Sequence, residues 1–531
     1  MPPSNDDPHD VFVTDEVVAP PTAVIADGTI TSTTASLDAP IPFHPLGVRP
    51  LGNKYFASGP DAKAASGTFQ ALPDEMVMQV LEWLDASSLA ALGYTCKFLY
   101  AFCDYDDLWK SLALGADGGQ LQQWRGTWRE SLMGNKAQAQ SYRSDRVRID
   151  CRDVFSDVLH RPFVCSYASP AQFACNIPKA NQIRRFADLS YDEFADKWSD
   201  TPFVLTECVR SWRVFADWSL DKLRSAHGST LFRAESVDWP YALYDQYISN
   251  TTDESPLYLF DRKFAEKMKL RVGQDSSSQD DEDVAYWKPD CFGPDLFEVL
   301  GSERPAHQWL IVGPAGSGST FHKDPNGTSA WNAVVQGAKY WILFPPAVAV
   351  PGVFVSRDRS EVTSPLSIAE WLLAFHAEAR CQAGCIEGVC RRGEILHVPS
   401  GWWHLVVNLE PGIALTQNFV SRTHLADVLL FLRDRPEQVT GFARGVVADP
   451  HGLFVERLRE SAHADELRAA EAEIAWRDAR RKRTWEALVG SDRTKIGADG
   501  GEEKRQCTEA ASGFTFGFGG DDDDDLENET P

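Results

Sequence analysis

Residues 319–325, Ser-Thr-Phe-His-Lys-Asp-Pro, decide the fold of this chain, because they set His322 and Asp324 two positions apart in an extended segment. Successive side chains of such a segment point to opposite faces, so these two can reach one metal ion from the same side. His404, after Gly-Trp-Trp in a later apolar run, is the candidate third ligand. Two imidazoles and one carboxylate leave coordination positions open, which is typical of non-haem Fe(II) sites. A packed or surface histidine is the alternative.

Short apolar runs surround this segment on both sides. Many short strands separated by Gly and Pro turns are typical of an antiparallel sandwich or jelly roll. Helical periodicity precedes and follows these runs, so the predicted fold class is α+β. The candidate strands are residues 202–206, 256–261, 309–314, 333–336, 339–345, 390–392, 395–399, 405–408 and 413–420.

The composition favours a mostly folded protein with more than one folded unit. The 531 residues exceed the length of one ordinary core, and the 43% of hydrophobic residues include 17 tryptophans. A net charge of −25 disfavours direct nucleic-acid binding and suits a basic protein partner. The chain starts without a secretory signal and has no run of roughly 18 apolar residues that could cross a membrane, so we expect a soluble, intracellular protein. Eleven scattered cysteines predict reduced thiols.

Shifts in composition divide the chain into six predicted segments. The first and last are low in apolar residues and rich in Pro, Thr, Ala, Gly or Asp, which is typical of disorder. The segments are a disordered leader at 1–68, a helical module at 69–115, a helical connector at 116–200, a β-rich domain at 201–433, C-terminal helices at 434–490 and a disordered acidic tail at 491–531.

The helical module has a specific order of parts. Leu72-Pro73-Asp74-Glu75 opens a series of apolar residues three and four apart, residues 96–100 follow, and Leu108-Trp109-Lys110 closes the series. A plain helical bundle accounts for the periodicity alone, but this order resembles an F-box over about residues 70–115. The resemblance implies that exposed apolar side chains bind the adaptor of a cullin-type ubiquitin ligase. Candidates for these side chains are Leu72, Pro73, Val77 and Leu81.

The β-rich domain resembles a known oxygenase family. Residues 318–345, 401–404 and 416–419 look like the JmjC family of 2-oxoglutarate-dependent oxygenases, nearest to its arginine-demethylase and lysyl-hydroxylase group, once described as a phosphatidylserine receptor. The similar block runs from about Pro202 to Arg433. The resemblance implies a double-stranded β-helix, a cupin-like jelly roll with surrounding helices, as the JmjC catalytic domain. It also implies Fe(II), 2-oxoglutarate and O2 as cofactors, with the metal on His322, Asp324 and His404.

Lys339 is the candidate partner of the cosubstrate. It lies in an apolar strand-like run, where a buried cation needs an anion. By resemblance, this anion is the distal carboxylate of 2-oxoglutarate, with help from Thr416 and Tyr258. A lysine at an exposed strand position is the alternative, since Gly337 can mark a solvent-facing turn. The resemblance also places three residues beside the cosubstrate and metal, namely Asn332, Asn418 and Ser319, the last where relatives carry threonine.

A second metal site is a weaker hypothesis. Cys381, Cys385 and Cys390, with His376 nearby, have the ligand types of a zinc site but not its usual spacing. Ordinary reduced cysteines at a helix end and in a strand are the alternative.

Two functional hypotheses from different classes follow. The first is an Fe(II)- and 2-oxoglutarate-dependent protein oxygenase that acts on Lys or Arg side chains, by lysyl hydroxylation or by demethylation of methyl-arginine or methyl-lysine. Its substrate would be a Lys/Arg-rich protein, such as a histone or an RNA-processing protein. The second is a substrate receptor of a cullin-type ubiquitin ligase, which would use the JmjC domain to recognise its target. The resemblance implies the nucleus, with the cytoplasm as a second compartment, and Arg480–Arg483 is a basic run equally typical of a solvated helix.

Overall fold

The computed structural model describes residues 41–115, 121–135, 148–356, 362–364, 367–443 and 446–493. Most of the predicted leader at 1–68 and nearly all of the predicted tail at 491–531 lie outside these residues. The described α-helices, numbered in chain order, are α1 (Asp74–Glu82), α2 (Ala86–Gly93), α3 (Lys97–Cys103), α4 (Asp106–Gly115), α5 (Trp128–Asn135), α6 (Asp157–Ser166), α7 (Pro170–Phe173), α8 (Tyr191–Glu193), α9 (Arg213–Asp217), α10 (Leu220–His227), α11 (Tyr241–Ser249), α12 (Phe264–Lys267), α13 (Ile368–Cys381), α14 (Leu425–Asp434), α15 (Pro450–Glu460) and α16 (Ala464–Arg493).

The strands are short and occur mainly in the second half of the chain. Those described are β1 (Arg184–Phe186), β2 (Phe203–Leu205), β3 (Leu231–Ala234), β4 (Val237–Pro240), β5 (Leu259–Asp261), β6 (Arg271–Gly273), β7 (Val284–Trp287), β8 (Gln308–Gly313), β9 (Gly318–His322), β10 (Ser329–Gln336), β11 (Ala338–Phe344), β12 (Phe354–Val355), β13 (Val362–Thr363), β14 (Ile386–Arg391), β15 (Ile395–Val398), β16 (Trp403–Asn408) and β17 (Gly412–Phe419).

Two sheets enclose an apolar interior. The larger sheet has the order β1-β2-β15-β10-β17-β8-β5-β3-β4, and the smaller has the order β14-β11-β16-β9. Apart from the parallel pair β1 and β2, neighbouring strands in both are antiparallel. Side chains from both sheets share one buried cluster, which confirms the predicted cupin-like jelly roll. Its buried members are Ile183, Val204, Ala330, Val334, Trp341, Leu343, Cys390, Leu396, Val398, Trp402 and Val406.

The turn between β10 and β11 depends on a glycine. Gly337 has a φ of +84°, and a Cβ there would lie 2.9 Å from the carbonyl oxygen of Pro411. Only glycine combines this left-handed backbone with such a close approach. The turn brings β11 back as the second strand of the smaller sheet, with Lys339 at its start.

The helical module shares its core with the larger sheet. One continuous buried cluster contains Val77 and Leu81 of α1 together with strand residues as distant as Phe419 of β17. Val77 and Leu81 are 0% and 1% exposed, so the prediction that they dock on an adaptor is wrong. They occupy the buried face of an amphipathic helix, which sequence periodicity alone does not distinguish from an exposed apolar face.

The predicted disordered leader extends too far. Leu46 and Val48 are buried at 6% and 3% exposure, and 3-10 turns follow at Leu51–Phe56 and Ala62–Ala65. The backbone N–H of Ala62 donates to the carbonyl of Asp153, 2.9 Å away. Contacts with a remote segment therefore order a stretch whose composition suggests disorder.

The sheet begins before the predicted domain boundary at residue 201. Strand β1 lies inside the predicted helical connector and pairs with β2 from Arg184 opposite Phe203 to Phe186 opposite Leu205. A strand of three residues is too short to give a readable alternation.

The C-terminal helices have a core of their own. Helices α14, α15 and α16 form a separate buried cluster with the turn at Leu296–Glu303, through residues that include Phe297, Leu429 and Phe454. Among the described residues, no helix is long and apolar enough to span a membrane.

Candidate active site

Two of the three predicted metal ligands lie opposite each other in the smaller sheet. His322, the last residue of β9, pairs in register with His404 of β16, and their ring centroids are 4.1 Å apart. Asp324 follows β9 and begins a turn at Pro325–Gly327. One ligand atom from each of the three residues lies within 4.8 Å of the other two. The sequence prediction of this triad is thus matched by its geometry.

Main-chain carbonyls orient both imidazoles. The Nδ1 atom of His322 lies 2.7 Å from the carbonyl oxygen of Thr320, and Nδ1 of His404 lies 3.1 Å from that of Trp402. With the proton on Nδ1, Nε2 of each ring is left as the electron-pair donor for a metal. Burial lowers the pKa of both histidines to about 4, so both rings are neutral near pH 7.

The carboxylate of Asp324 fits a bound cation. Its Oδ2 atom is buried and has no hydrogen-bond partner within the protein. Burial raises the pKa of Asp324, while His322 and a hydrogen bond with Asn418 act in the opposite direction. An unpartnered buried oxygen is costly unless a charge compensates it. Two neutral imidazoles and one carboxylate are a donor set that Fe(II) accepts, so the residues fit the implied metal.

Lys339 marks the other end of the pocket. Its side chain is 2% exposed, which excludes the alternative of a solvent-facing lysine. The ammonium donates to the hydroxyl of Tyr258 at 2.5 Å and to Oδ1 of Asn408 at 2.8 Å. Burial lowers its pKa to about 7, because the charged form loses its hydration. A buried cation of this kind favours an anionic ligand, such as the distal carboxylate of 2-oxoglutarate.

Strand alternation places the remaining predicted residues on the inner faces. Asn332 of β10 lies opposite Thr416 of β17, and Asn418 follows Thr416 two positions later on the same face. The Thr416 hydroxyl donates to the carbonyl of Trp331 at 2.8 Å, and Oδ1 of Asn332 is buried without a partner. These polar groups lie on the sheet that faces the metal ligands.

An irregular step in β9 brings Ser319 inward as well. Ser319 pairs with Val406, and His322 pairs with His404, so three residues of β9 span two of β16. Such a β-bulge puts two residues opposite one. Both Ser319 and His322 therefore share a face with inward residues of β16, although strict alternation would place them on opposite faces.

Asn408 is a site residue that the sequence reasoning missed. It lies opposite Lys339 in the smaller sheet, accepts from its ammonium, and donates through Nδ2 to the Ser317 hydroxyl at 2.9 Å. The signal was present, because Asn408 follows His404 by four residues, an even number, and therefore lies on the same inner face.

An aromatic pair lies beside the cosubstrate residues. Trp309 of β8 is directly opposite Thr416, and its ring centroid is 5.3 Å from that of Phe260 on β5. Both side chains are only partly buried, and both pack against the inner cluster of Tyr258, Ile311 and Ala414. Two aromatic rings, inclined to each other by 37°, therefore lie next to Thr416.

The three cysteines of the zinc hypothesis do not converge. Cys385 is buried in the cluster outside the smaller sheet, Cys390 is buried between the two sheets, and Cys381 is exposed. His376 instead makes a hydrogen bond of 2.9 Å with the Tyr340 hydroxyl. Within the described part of the chain, the triad around His322 is the group of three or more such side chains that could hold a metal.

Comparison with known proteins agrees with this geometry. Residues 198–424 match the Cupin-like domain family, and residues 69–115 match the F-box-like family. Arginine-specific demethylase JMJ22 of Arabidopsis thaliana is 38% identical over 393 residues, which cover 73% of this chain and 75% of that protein. Bifunctional arginine demethylase and lysyl-hydroxylase psr-1 of Caenorhabditis elegans is 34% identical over 236 residues, 42% of this chain and 56% of that protein.

The name of a third relative includes iron and 2-oxoglutarate. The 2-oxoglutarate and iron-dependent oxygenase JMJD4 of Danio rerio is 34% identical over 138 residues, which cover 25% of this chain and 31% of that protein. The two sheets, the metal triad and the buried lysine agree with these similarities. The chain belongs to the JmjC family of iron- and 2-oxoglutarate-dependent oxygenases, with an F-box-like domain before its catalytic domain.

Proposed function

We propose that this oxygenase acts on cationic side chains of proteins, and that methylated arginine is its preferred substrate. The observation that carries this proposal is the aromatic pair Phe260 and Trp309 beside Thr416. A guanidinium plane stacks on aromatic faces and gains from the ring quadrupole, more so than a compact ammonium. The names of JMJ22 and psr-1, both of which include arginine demethylation, support the same substrate class.

The net charge of the chain supports a basic protein substrate. The excess of 77 Asp and Glu over 52 Lys and Arg attracts Lys/Arg-rich segments, such as those of histones or RNA-processing proteins. Methylation leaves the charge of arginine in place, so both modified and unmodified segments would be attracted. Discrimination between them then rests on the walls of the pocket.

The residues of the site have separable roles in the reaction. Iron and 2-oxoglutarate, when bound, supply with O2 an oxidant for an unactivated C–H bond, and 2-oxoglutarate leaves as succinate and CO2. Nε2 of His322, Nε2 of His404 and the Asp324 carboxylate would hold the metal on one side. Lys339 and Tyr258 would hold the cosubstrate at the far end, where burial excludes water. A hydroxylated N-methyl group is lost as formaldehyde, whereas a hydroxylated carbon of the lysine side chain keeps its oxygen.

Mass spectrometry of peptide products tests the proposal. We expect the purified chain with Fe(II) and 2-oxoglutarate to remove one methylene mass from a methyl-arginine peptide, with Asp324→Ala as the inactive control. Gain of one oxygen mass on the matched lysine peptide, without loss from the methyl-arginine peptide, would assign lysyl hydroxylation instead. No product on either peptide would contradict the proposed substrate class.

A variant of the aromatic pair sharpens this test. Trp309→Leu removes the indole ring but keeps an apolar side chain opposite Thr416. We expect the KM for a methyl-arginine peptide to rise about tenfold, since a cation–π contact contributes roughly 0.5 kcal/mol when exposed and roughly 2 kcal/mol when buried. The affinity for 2-oxoglutarate should stay within about twofold of wild type. An unchanged KM would show that the aromatic pair does not bind the substrate.

A second function is favoured by the exposed face of α1. Met76, Val80 and Trp83 are spaced four and three residues apart, so they share one side of the helix and its C-terminus. They are 46%, 39% and 89% exposed, respectively. We propose that this face, rather than Val77 and Leu81, binds the adaptor of a cullin-type ubiquitin ligase.

Co-purification of the adaptor tests this second function. Val80→Ala with Trp83→Ala should abolish association, because these side chains would form the apolar centre of the interface. Phe354→Ala is a matched control, since Phe354 is 71% exposed and lies far along the chain in β12. Equal association of both variants, or none with wild type, would contradict the assignment.

We also propose a nuclear location, with cytoplasm as the second compartment. Its support is the exposed basic run Arg480–Arg483 on α16. Fluorescence microscopy of the tagged chain, with alanine at all four positions as the control, tests it. A cytoplasmic signal for both proteins would contradict the proposal.

A further inference from the structure

Residues 250–258 connect the helical module to the cosubstrate pocket. The segment leaves α11 after Ser249 and ends at Tyr258, whose hydroxyl accepts from Lys339 at 2.5 Å. Midway along it, Asp253 contacts the region of α4 and α5. Only residues 254–257 therefore separate a contact with the module from a side chain of the pocket.

Asp253 is the centre of the contact with the module. Its side chain is 5% exposed, and Oδ2 accepts from Nε1 of Trp128 and from the hydroxyl of Tyr247, each at 2.8 Å. The ammonium of Lys110 lies 3.4 Å from the same oxygen and donates to the carbonyl of Ser255 at 2.6 Å. Lys110 belongs to the F-box-like match at residues 69–115.

Two buried tyrosines of α11, Tyr244 and Tyr247, make hydrogen bonds to the backbone next to Tyr258. The Tyr247 hydroxyl, which donates to Asp253, accepts from the backbone N–H of Leu257 at 2.8 Å. The Tyr244 hydroxyl accepts from the N–H of Leu259 at 3.1 Å and lies 2.9 Å from the carbonyl of Leu257. The backbone on both sides of Tyr258 is therefore fixed by hydrogen bonds, one of which leads directly to Asp253.

We infer that Lys110 and Asp253 are positioning residues for 2-oxoglutarate, through which the F-box-like module holds Tyr258 against Lys339. The charge of Lys110 compensates the buried carboxylate, and the carboxylate fixes Tyr247 and hence the backbone at Leu257. Without Lys110, the Asp253 carboxylate would be buried without a cation, so water would enter to hydrate it. Residues 250–258 would then be held less firmly beside the pocket. This inference rests on the cosubstrate site and is independent of which side chain the enzyme oxidises.

Calorimetric binding of 2-oxoglutarate to the full chain tests the inference. Mn(II) replaces Fe(II), so that no turnover occurs during the titration. We expect Lys110→Met to weaken 2-oxoglutarate binding roughly fivefold, within the range by which remote residues alter coupled sites. Lys110→Arg should restore most of the affinity, since it keeps the charge. The affinity for Mn(II) should not change, because the metal ligands lie in the smaller sheet or directly after its strand β9.

Two controls keep the outcome decisive. Lys97 of the same module also pairs with an aspartate, Asp153. The variant Lys97→Met removes this pair and should bind 2-oxoglutarate like wild type. Asp253→Asn keeps the shape but removes the charge and should resemble Lys110→Met.

Wild-type affinity in Lys110→Met would overturn the inference. Parallel loss of Mn(II) affinity and thermal stability in Lys110→Met would also overturn it, since that pattern marks general unfolding. Failure of peptide oxidation alone, with this binding pattern intact, would concern only the proposed substrate.

Discussion

The two ends of the active-site pocket are built in different ways. At the metal end, His322 and His404 face each other across one strand pair, and Asp324 is two residues further along. At the cosubstrate end, Lys339 and Asn408 come from the smaller sheet, whereas Tyr258 comes from the segment before β5 of the larger sheet. The metal end thus depends on one local register, while the cosubstrate end depends on how two sheets and the helical module are packed.

The largest expected effect separates metal binding from folding. Asp324→Ala removes one of three ligands, so we expect Mn(II) affinity to fall by more than about a hundredfold, since changing even the partners of metal ligands costs 10- to 100-fold. The metal-free variant should melt at a higher temperature than metal-free wild type, because a buried oxygen without a partner is removed. Titration calorimetry and thermal melts check both. A lower melting temperature would show that Asp324 stabilises the fold by itself.

The next largest effect concerns the opposite end. Lys339→Met keeps the length and burial of the side chain but removes its charge. Hydrogen bonds to charged groups contribute about 1.5–3 kcal/mol, so 2-oxoglutarate affinity should fall by roughly a hundredfold. Mn(II) affinity should be retained, because Lys339 is not a metal ligand. Equal losses of both affinities would show that the two ends are not independent.

The cosubstrate end should also respond to pH. The pKa of Lys339 is about 7 in the free protein, so the side chain is charged below pH 7 and neutral above it. The neighbouring Tyr258 and Cys390 have pKa values raised by burial and stay neutral. Binding of the carboxylate therefore takes up a proton above pH 7, and the dissociation constant should rise about tenfold per pH unit there. The dissociation constant should not change with pH below pH 6, and in Lys339→Met it should not change with pH at all.

The smallest effect tests the contribution of the larger sheet. Tyr258→Phe removes one hydroxyl from the cosubstrate end and leaves the ring in place. A single hydrogen bond contributes about 1 kcal/mol, so we expect 2-oxoglutarate affinity to fall about fivefold. Competition with a dicarboxylate analogue at constant Mn(II) measures it. A loss as large as that of Lys339→Met would mean that Tyr258 is needed to hold the lysine in place.

Sequence reasoning performed differently at the two ends for a physical reason. The metal triad follows from strand alternation and from resemblance, and the structure brings all three ligands together. Ser319 could not be placed by alternation, since the bulge in β9 changes which residues share a face. Asn408 was missed because an asparagine at the end of an apolar run is also typical of a turn. Val77 and Leu81 were assigned to the wrong face of α1, since periodicity does not say which partner covers a helix.

By itself, the sequence determined the chemistry of this protein. The spacing of His322 and Asp324, with His404, predicted the metal site, and the run of short strands predicted the jelly-roll fold, because both depend on short-range periodicity. The cosubstrate and its contact with Lys339 followed from resemblance to the JmjC family. Only the tertiary structure decided how the pocket is completed. It placed the aromatic pair of Phe260 and Trp309 beside Thr416, and it linked Lys110 of the helical module to Tyr258 through Asp253. Such contacts join residues remote in sequence, and packing alone sets their distances.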